Sequence, residues 1–167
     1  MISAPSPHCS HMLQALLLLV CVGAGTVGGL FFAFSTSVMK ALGQLPPQQG
    51  AAAMQRINAV ILNPLFLAVF MGTSLLAVVC VATALLHWSP TRSPWTLAAG
   101  LLYVLGSFFV TAAFNVPRNQ RLASLDAQSS EAAAYWQVYL QEWTAWNHVR
   151  TAASLACAAC AAMALAS

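Results

Sequence analysis

Charged side chains are scarce in this sequence. Of its 167 residues only six are Lys or Arg and three are Asp or Glu, together 5% of the chain. A soluble domain typically carries about 25% charged residues, so this composition cannot supply a water-facing surface. The net charge of +3 is scattered along the chain. Nucleic-acid binding requires a basic cluster, and we therefore expect no nucleic-acid partner.

Cysteines are also few, and their spacing does not form the disulfide framework of a small secreted domain. The five are Cys9, Cys21, Cys80, Cys157 and Cys160. We expect most of them to be apolar packing residues. Cys157 and Cys160 form a C-x-x-C pair, which in other settings is a redox dithiol. His8, Cys9, Ser10 and His11 are a denser group of metal-ligand types, but we interpret them as part of a frayed terminus and expect no metal site.

Long uncharged segments make up most of the sequence, and hydrophobic residues account for 60% of the chain. No Lys or Arg occurs in residues 1–12, so the first segment is interpreted as a retained span rather than a cleaved signal. Four such segments occur, from the N-terminus to residue 39 and over 57–91, 93–117 and 151–167. A span needs roughly 20 apolar residues, which the last segment reaches if its helix begins at or before Trp146. We predict one all-α domain over 1–167, a bundle of four transmembrane helices surrounded by membrane lipid.

The first connection carries helix-end and helix-start signals. Lys40 suits a last helical turn, and Gly43 suits the C′ position that closes a helix. Pro46 and Pro47 then begin a new helix. Residues 48–62 are moderately apolar and are predicted to lie as a helix at the membrane interface.

Short segments that end in proline mark the later helix boundaries. The Asn-Pro pair at 63–64 predicts an N-cap and first helical position for the second span, and the Ser-Pro pair at 93–94 does the same for the third. Asn-Val-Pro at 115–117 predicts the end of the third span. Residues 131–149 are expected to be helical and to lead into the fourth.

Basic residues favour one orientation. Four spans place both termini on one side of the membrane, with the connections 40–62 and 115–150 on the other. Five of the six basic residues lie on the side of these connections: Lys40, Arg56, Arg118, Arg121 and Arg150. Arg92 lies opposite. The positive-inside rule then makes the long-connection side cytoplasmic.

Small and aromatic residues predict how the helices pack. Gly25 and Gly29 form a G-x-x-x-G pair, which lets helix backbones approach closely in lipid. Later in the chain, aromatic residues recur at spacings of three and four and so share one helical face: Trp136, Tyr139, Trp143 and Trp146. Asn147 and Arg150 extend that stripe. An interfacial aromatic belt is the alternative explanation.

Polar side chains cluster at three helix ends on the long-connection side. They are Gln55, Arg56, Asn58 and Asn63 before the second span, Asn115 and Asn119 at the end of the third, and Asn147, His148 and Arg150 at the start of the fourth. Polar groups facing hydrocarbon are costly, so these groups must face one another or a cavity. They form either a hydrogen-bonded clamp or a polar floor beneath an apolar pocket. In the second case His148 is a candidate general base and Arg150 a candidate oxyanion stabiliser.

The order of these segments resembles the anthrone oxygenase-like family of small four-helix membrane proteins. The segments that carry the resemblance are Gly-Gly-Leu-Phe-Phe-Ala-Phe-Ser-Thr-Ser-Val-Met at 28–39, Ala-Met-Gln-Arg-Ile-Asn at 53–58, Asn-Pro at 63–64, Phe-Asn-Val-Pro-Arg-Asn at 114–119 and Trp-Thr-Ala-Trp-Asn-His-Val-Arg at 143–150. Each segment alone is weak evidence for the family, but their order and combination are fairly specific for it. One departure is Lys40, where the family pattern usually has proline.

The resemblance implies an activity. Fungal members are associated with oxidation of anthrones to anthraquinones by molecular oxygen without a metal or flavin. By that analogy the chain would need no cofactor, and it would act on a hydrophobic phenolic or polycyclic small molecule at the bacterial plasma membrane. His148 matches the position of the base. Trp143 and Trp146 would stack on the substrate rings, and its oxygens would be oriented by Asn58, Asn63, Asn115, Asn119, Asn147 and Arg150.

Three functions remain open from the sequence. The first is this cofactor-independent oxygenase. The second is a non-enzymatic accessory protein or a binder of lipid or small molecules. The third is a thiol redox protein that uses Cys157 and Cys160, and it is weakest because the loops carry no second cysteine pair. A cavity that reaches the polar cluster favours the first, and a closed, fully hydrogen-bonded cluster favours a structural role.

Overall fold

The computed structural model describes residues 7–167, with side chains from residue 11 onward, and every regular element in that part is helical. Helix α1 covers residues 7–43 and α2 covers Pro47–Val60. Helices α3, α4 and α5 cover Pro64–Leu86, Ser93–Ala123 and Ser130–Ala166. All except α2 are long and apolar enough to cross a bilayer. The predicted all-α membrane bundle of four spans is thereby confirmed.

The four long helices form a four-sided bundle in which each helix packs against two others. Helix α1 packs against α5 and α3, and α4 packs against the same two helices. Helix α2 lies mainly against α5 at the long-connection end. One apolar core fills the opposite half of the bundle around Phe70 and Tyr103, and a second core joins α2 to α5 around Met54 and Trp136. Large apolar side chains such as Leu75 remain exposed on the outside, where lipid can cover them.

Most helix boundaries lie where the local signals predict them. Asn63 Oδ1 accepts a hydrogen bond from Phe66 N at 3.0 Å and caps α3. Helix α4 begins one residue earlier than its Ser-Pro pair predicts: Ser93 is already helical, Arg92 occupies the N-cap position without a side-chain cap, and the predicted N-cap role of Ser93 is wrong. Gly43 ends α1 as its last helical residue, followed by Gln44, and not as a left-handed C′ residue.

The prediction that the third span ends at 115–117 is wrong. Helix α4 continues past Pro117 to Ala123. The preceding backbone is π-helical over Leu102–Phe109 and Thr111–Asn115, so its hydrogen-bond pattern is already altered before the proline. Arg118 Nη1 donates to the Phe114 carbonyl at 2.7 Å and so supplies a hydrogen bond within the turn that Pro117 interrupts.

The predicted Gly25 and Gly29 contact is also wrong. A Cβ on either residue would meet nothing within 4 Å. The neighbouring Gly28 makes the close approach instead, since a Cβ there would lie 3.2 Å from Ser154 Cβ on α5. The sequence identifies a small-residue segment, but only the rotation of α1 about its axis decides which glycine faces α5.

The cysteines with described side chains are all free thiols. Cys80 and Cys157 are buried, whereas Cys21 and Cys160 are half-buried. Cys157 and Cys160 lie one turn apart on α5 without forming a disulfide. The side chains of the His8, Cys9 and Ser10 group lie outside the described residues. From residue 11 onward, no three His, Cys, Asp or Glu side chains are grouped closely enough to hold a metal ion.

We expect residues 128 and 167 to lie on opposite sides of the membrane. In a background with all five cysteines replaced, Gln128→Cys reports the loop between α4 and α5, and Ser167→Cys reports the C-terminus; both positions are exposed. If the long-connection side is cytoplasmic, an impermeant maleimide should label only position 167 in intact cells. Labelling of both positions would contradict the four-span topology, and labelling of position 128 alone would contradict only the orientation.

Candidate functional site

The aromatic stripe of α5 faces the interior of the protein. Trp136 and Tyr139 are fully buried and Trp143 is 5% exposed. Their rings stack in sequence, with centroids 5.6 Å apart for Trp136 on Tyr139 and 5.9 Å apart for Tyr139 on Trp143. Asn147 and Arg150 continue the same buried face, at 0% and 4% exposure. The interfacial-belt alternative is therefore wrong for these rings, because the protein itself covers them.

Arg150 is held by neutral groups. Its Nη2 donates to Asn147 Oδ1 at 2.6 Å and its Nη1 to Thr111 Oγ1 at 3.2 Å. The guanidinium carbon lies 4.1 Å from the ring centroid of Phe31 and 5.0 Å from that of Trp143. Such a cation–π contact contributes about 2 kcal/mol where water is excluded. The Nε atom has no hydrogen-bond partner among the residues that the structure describes, so the cation is only partly satisfied.

The three acidic residues lie elsewhere, all within the described part of the chain. Glu142 pairs with Arg118 and Glu131 with Arg121, each at 2.7 Å on the long-connection side. Asp126 accepts a hydrogen bond in the loop that follows α4. No carboxylate therefore neutralises the buried guanidinium. A buried charge without a partner of opposite sign is costly, which favours a functional reason for its presence.

The orientation of Asn147 follows from its partners. Arg150 can only donate hydrogen bonds and a backbone carbonyl can only accept them, so Oδ1 faces Arg150 and Nδ2 faces the Phe31 carbonyl at 2.8 Å. The same Nδ2 donates to Ser35 Oγ at 2.7 Å. Thr151 Oγ1 donates to the Asn147 carbonyl at 2.8 Å and lies 3.2 Å from Ser35 Oγ. A directed chain of hydrogen bonds thus runs from Arg150 through Asn147 to Ser35.

Three of the predicted asparagines contact the stripe nearer its start. Asn119 Oδ1 accepts from the Tyr139 hydroxyl at 2.7 Å and from Trp143 Nε1 at 2.8 Å. Asn58 Nδ2 lies 3.3 Å from the same hydroxyl and donates to it. Asn115 Nδ2 donates to the Trp143 carbonyl at 3.2 Å, and its buried Oδ1 has no partner in the described part of the protein. These residues hold α2 and α4 against α5.

The partners supplied by α1 and α4 belong to π-helical turns. Ser35 lies in the turn Phe34–Val38, and both Thr111 and Asn115 lie in Thr111–Asn115. A π turn is wider than an α-helical turn and shifts the facing of the residues that follow, and such turns occur frequently at functional sites. Two separate helices therefore depart from regular α geometry where they meet Asn147, Arg150 and Trp143.

An open groove of about 500 Å³ lies on the seam between α1 and α5. It is lined by Ser35, Met39, Lys40, Gly43 and Gln44 on one side and by Leu140, Thr144 and His148 on the other. Sites for small molecules commonly have volumes of about 300–1,000 Å³. Thr144 Oγ1 is buried and has no hydrogen-bond partner in the side chains described from residue 11 onward, and Ser35 joins the groove to Asn147. We call this site the α1/α5 groove.

His148 lines this groove and does not join the asparagines, contrary to the sequence-based prediction. It follows Asn147 by one residue, which turns its side chain about 100° away from the buried stripe. The imidazole is exposed on the α1 side of α5. Lys40 and Ser35 line the same groove, and Ser35 also belongs to the Asn147 network.

Two further predicted site residues lie apart from the network. Asn63 caps α3 and borders a different, apolar groove between α1 and α3. Trp146 is half-buried and stacks on Phe114 with centroids 3.6 Å apart. The predicted substrate stacking on Trp143 does not fit either, because Tyr139 and Arg150 already cover that ring.

Ser35, Thr111 and Thr144 are not among the site residues predicted from the sequence, and neither is Lys40. Single hydroxyl residues are common in transmembrane helices, and no local pattern marks the π turns that position Ser35 and Thr111. The available signal was weak: Ser35 is a small polar residue that follows three phenylalanines within a segment that carries the family resemblance.

A sequence model of the anthrone oxygenase family matches residues 64–160, which is more than half of the chain. The chain belongs to the anthrone oxygenase family. In this family member the match covers α3, α4 and the part of α5 that carries Trp143, Asn147, His148 and Arg150. The α1 side of the groove precedes the match. No curated protein and no solved structure matches the chain.

In this anthrone oxygenase family member, the groove combines chemically distinct groups at its surface. Met39 and Leu140 supply apolar contacts, and Lys40 and Ser35 supply donors for an oxygen atom. His148 is the imidazole that can accept a proton. This set can bind an apolar molecule, hold a negative oxygen and remove a proton from carbon.

Proposed function

We propose that the protein is an oxygenase that converts a hydrophobic anthrone-like phenol to the corresponding quinone in the α1/α5 groove, with molecular oxygen as oxidant. The observation that carries the proposal is that His148, Lys40 and Ser35 line one groove, and that Ser35 is connected to the buried Arg150 through Asn147. The match to the anthrone oxygenase family supports the same reaction class. Partly unsatisfied groups at Thr144 and Arg150 favour ligand binding over a closed structural clamp.

The membrane setting favours such a substrate. A polycyclic phenol partitions into the bilayer, and the groove opens on the outer surface of the bundle near the end of α1. Met39 and Leu140 can contact the rings, while the polar groups are placed for the oxygen substituents. The substrate can therefore enter sideways from lipid without crossing water.

The proposed reaction needs no external reductant. His148 removes a proton from the methylene carbon of the anthrone, and the negative charge is shared with the ring-ketone oxygen. This carbanion transfers electrons to oxygen and a carbon–oxygen bond forms, and the resulting peroxide anion takes the proton back from the His148 imidazolium to give a hydroperoxide. Loss of the second hydrogen of that carbon as a proton, with cleavage of the oxygen–oxygen bond, gives the quinone carbonyl and water. One oxygen atom enters the product and the other leaves as water.

The test is oxidation of 1,8-dihydroxy-9-anthrone by the protein in lipid nanodiscs. We expect quinone formation well above the autoxidation rate in empty nanodiscs, with one oxygen molecule consumed for each quinone formed. Labelled oxygen gas should place one labelled atom in the product. A rate equal to that of empty nanodiscs, across hydroxylated anthrones of three and four rings, would contradict the oxygenase and leave a binding protein as the better description.

A further inference from the structure

We infer that Ser35 is the oxyanion donor of the α1/α5 groove, and that the buried Arg150 polarises it through Asn147, so that the groove selects the ionised form of a phenol. The inference rests on the proposed function and extends it to a residue outside the family match. In this scheme Ser35 touches the ligand, whereas Asn147 and Arg150 are positioning residues.

The direction of each hydrogen bond leaves one proton free for this role. Ser35 Oγ accepts from Asn147 Nδ2, so its own hydroxyl hydrogen must go elsewhere. Among the described residues its remaining hydrogen-bond neighbour is Thr151 Oγ1, which has already given its hydrogen to the Asn147 carbonyl. Ser35 can therefore donate either to Thr151 or to a ligand in the groove.

The Thr151 contact is a weak competitor. Its oxygen lies 3.2 Å from Ser35 Oγ, whereas hydroxyl–oxygen hydrogen bonds are typically about 2.7–2.8 Å long. A phenolate oxygen is a stronger acceptor than a hydroxyl, and hydrogen bonds to charged groups are roughly twice as strong as neutral ones. The Ser35 hydrogen should therefore turn from Thr151 to a phenolate bound in the groove.

The positive charge of Arg150 polarises the chain of hydrogen bonds toward Ser35. The guanidinium donates to Asn147 Oδ1 at 2.6 Å, which draws electron density from the amide and strengthens Nδ2 as a donor to Ser35. The same effect makes the Ser35 hydroxyl a better donor. The buried position of Arg150 protects this influence from screening by water and salt. This role also accounts for a cation that has no carboxylate partner in the described chain.

Other charged groups at the groove also act on a bound phenolate, and their contribution must be distinguished from that of the Ser35 chain. Lys40 from α1 and His148 from α5 are the titratable side chains that line it. Lys40 is exposed, so water and salt weaken its attraction for a phenolate. We therefore assign it a smaller part in selecting the anion than the Ser35 chain.

The experiment uses 2-hydroxyanthraquinone, a three-ring phenol that changes colour on ionisation and has no methylene to oxidise. Its colour is titrated with pH in nanodiscs that contain the protein and in empty ones. We expect the wild-type protein to shift ionisation of the bound phenol by about one to two pH units toward lower pH. Ser35→Ala should lose most of that shift, and Ser35→Cys, with a weaker donor of similar size, should keep part of it. Arg150→Met should lose the shift while Ser35 is retained.

Two variants serve as controls. Ser37→Ala removes an exposed hydroxyl from the same π turn and should leave the shift unchanged. Lys40→Gln should remove only a small part of it. An unchanged shift in folded Ser35→Ala or Ser35→Cys, or failure of the phenol to bind to the wild-type protein, would overturn the inference. Because the phenol is not oxidised, these results are independent of whether the protein is active as an oxygenase.

Discussion

Replacing His148 with Gln is expected to lower the rate of anthrone oxidation by about 10²–10⁴-fold, the usual contribution of a general base. Gln keeps a polar side chain of similar reach but cannot take up the proton. His148 is exposed in the groove, so the change in folding free energy should stay within about 0.5 kcal/mol. Quinone formation under saturating oxygen measures the rate, and thermal unfolding in detergent measures stability.

The matched control is His87→Gln. His87 is also exposed, but it lies at the opposite end of the bundle, after α3. The same chemical change there should leave oxidation unaltered. Wild-type turnover in folded His148→Gln would show that another group removes the proton. A large loss of thermal stability in that variant would instead support a structural role for the imidazole.

Replacing Gly100 with Leu is expected to destabilise the bundle by about 3 kcal/mol, at the upper end for overpacking a close contact. A Cβ at this position would lie 2.7 Å from the Ala77 carbonyl oxygen and 3.1 Å from Val81 N. These atoms belong to the backbone of α3 and cannot move away as the end of a flexible side chain can. Helices α3 and α4 would therefore have to separate.

Gly72→Leu is the control for this change. Gly72 lies on α3, and a Cβ there would meet nothing within 4 Å. Its replacement should be neutral or slightly stabilising, because Leu has the higher helix propensity. Stability can be followed by SDS titration of the protein in mixed micelles. Equal effects of the two substitutions would contradict the close α3/α4 contact.

The sequence determined the elements that depend on local chemistry. The four spans follow from hydropathy, and the start of α3 follows from Asn63 before Pro64, because capping and proline geometry act within one turn. The start of α4 follows from Pro94 in its first turn. The shared face of Trp136, Tyr139 and Trp143 follows from helical spacing alone. The family resemblance was readable for the same reason: it depends on the order of short segments along the chain.

What each helix face contacts depends on how the helices pack. Spacing could not tell whether the Trp143 stripe faced lipid or protein, because both environments accept indole rings. The π turns that present Ser35 and Thr111 have no sequence signature, since their extra residue is stabilised by contacts between helices. His148 follows the buried stripe by one residue, so its side chain lies on the groove side of α5 and not beside the asparagines. The groove that contains His148 exists because α1 packs on α5, and a groove formed by two helices distant in sequence cannot be read from either one.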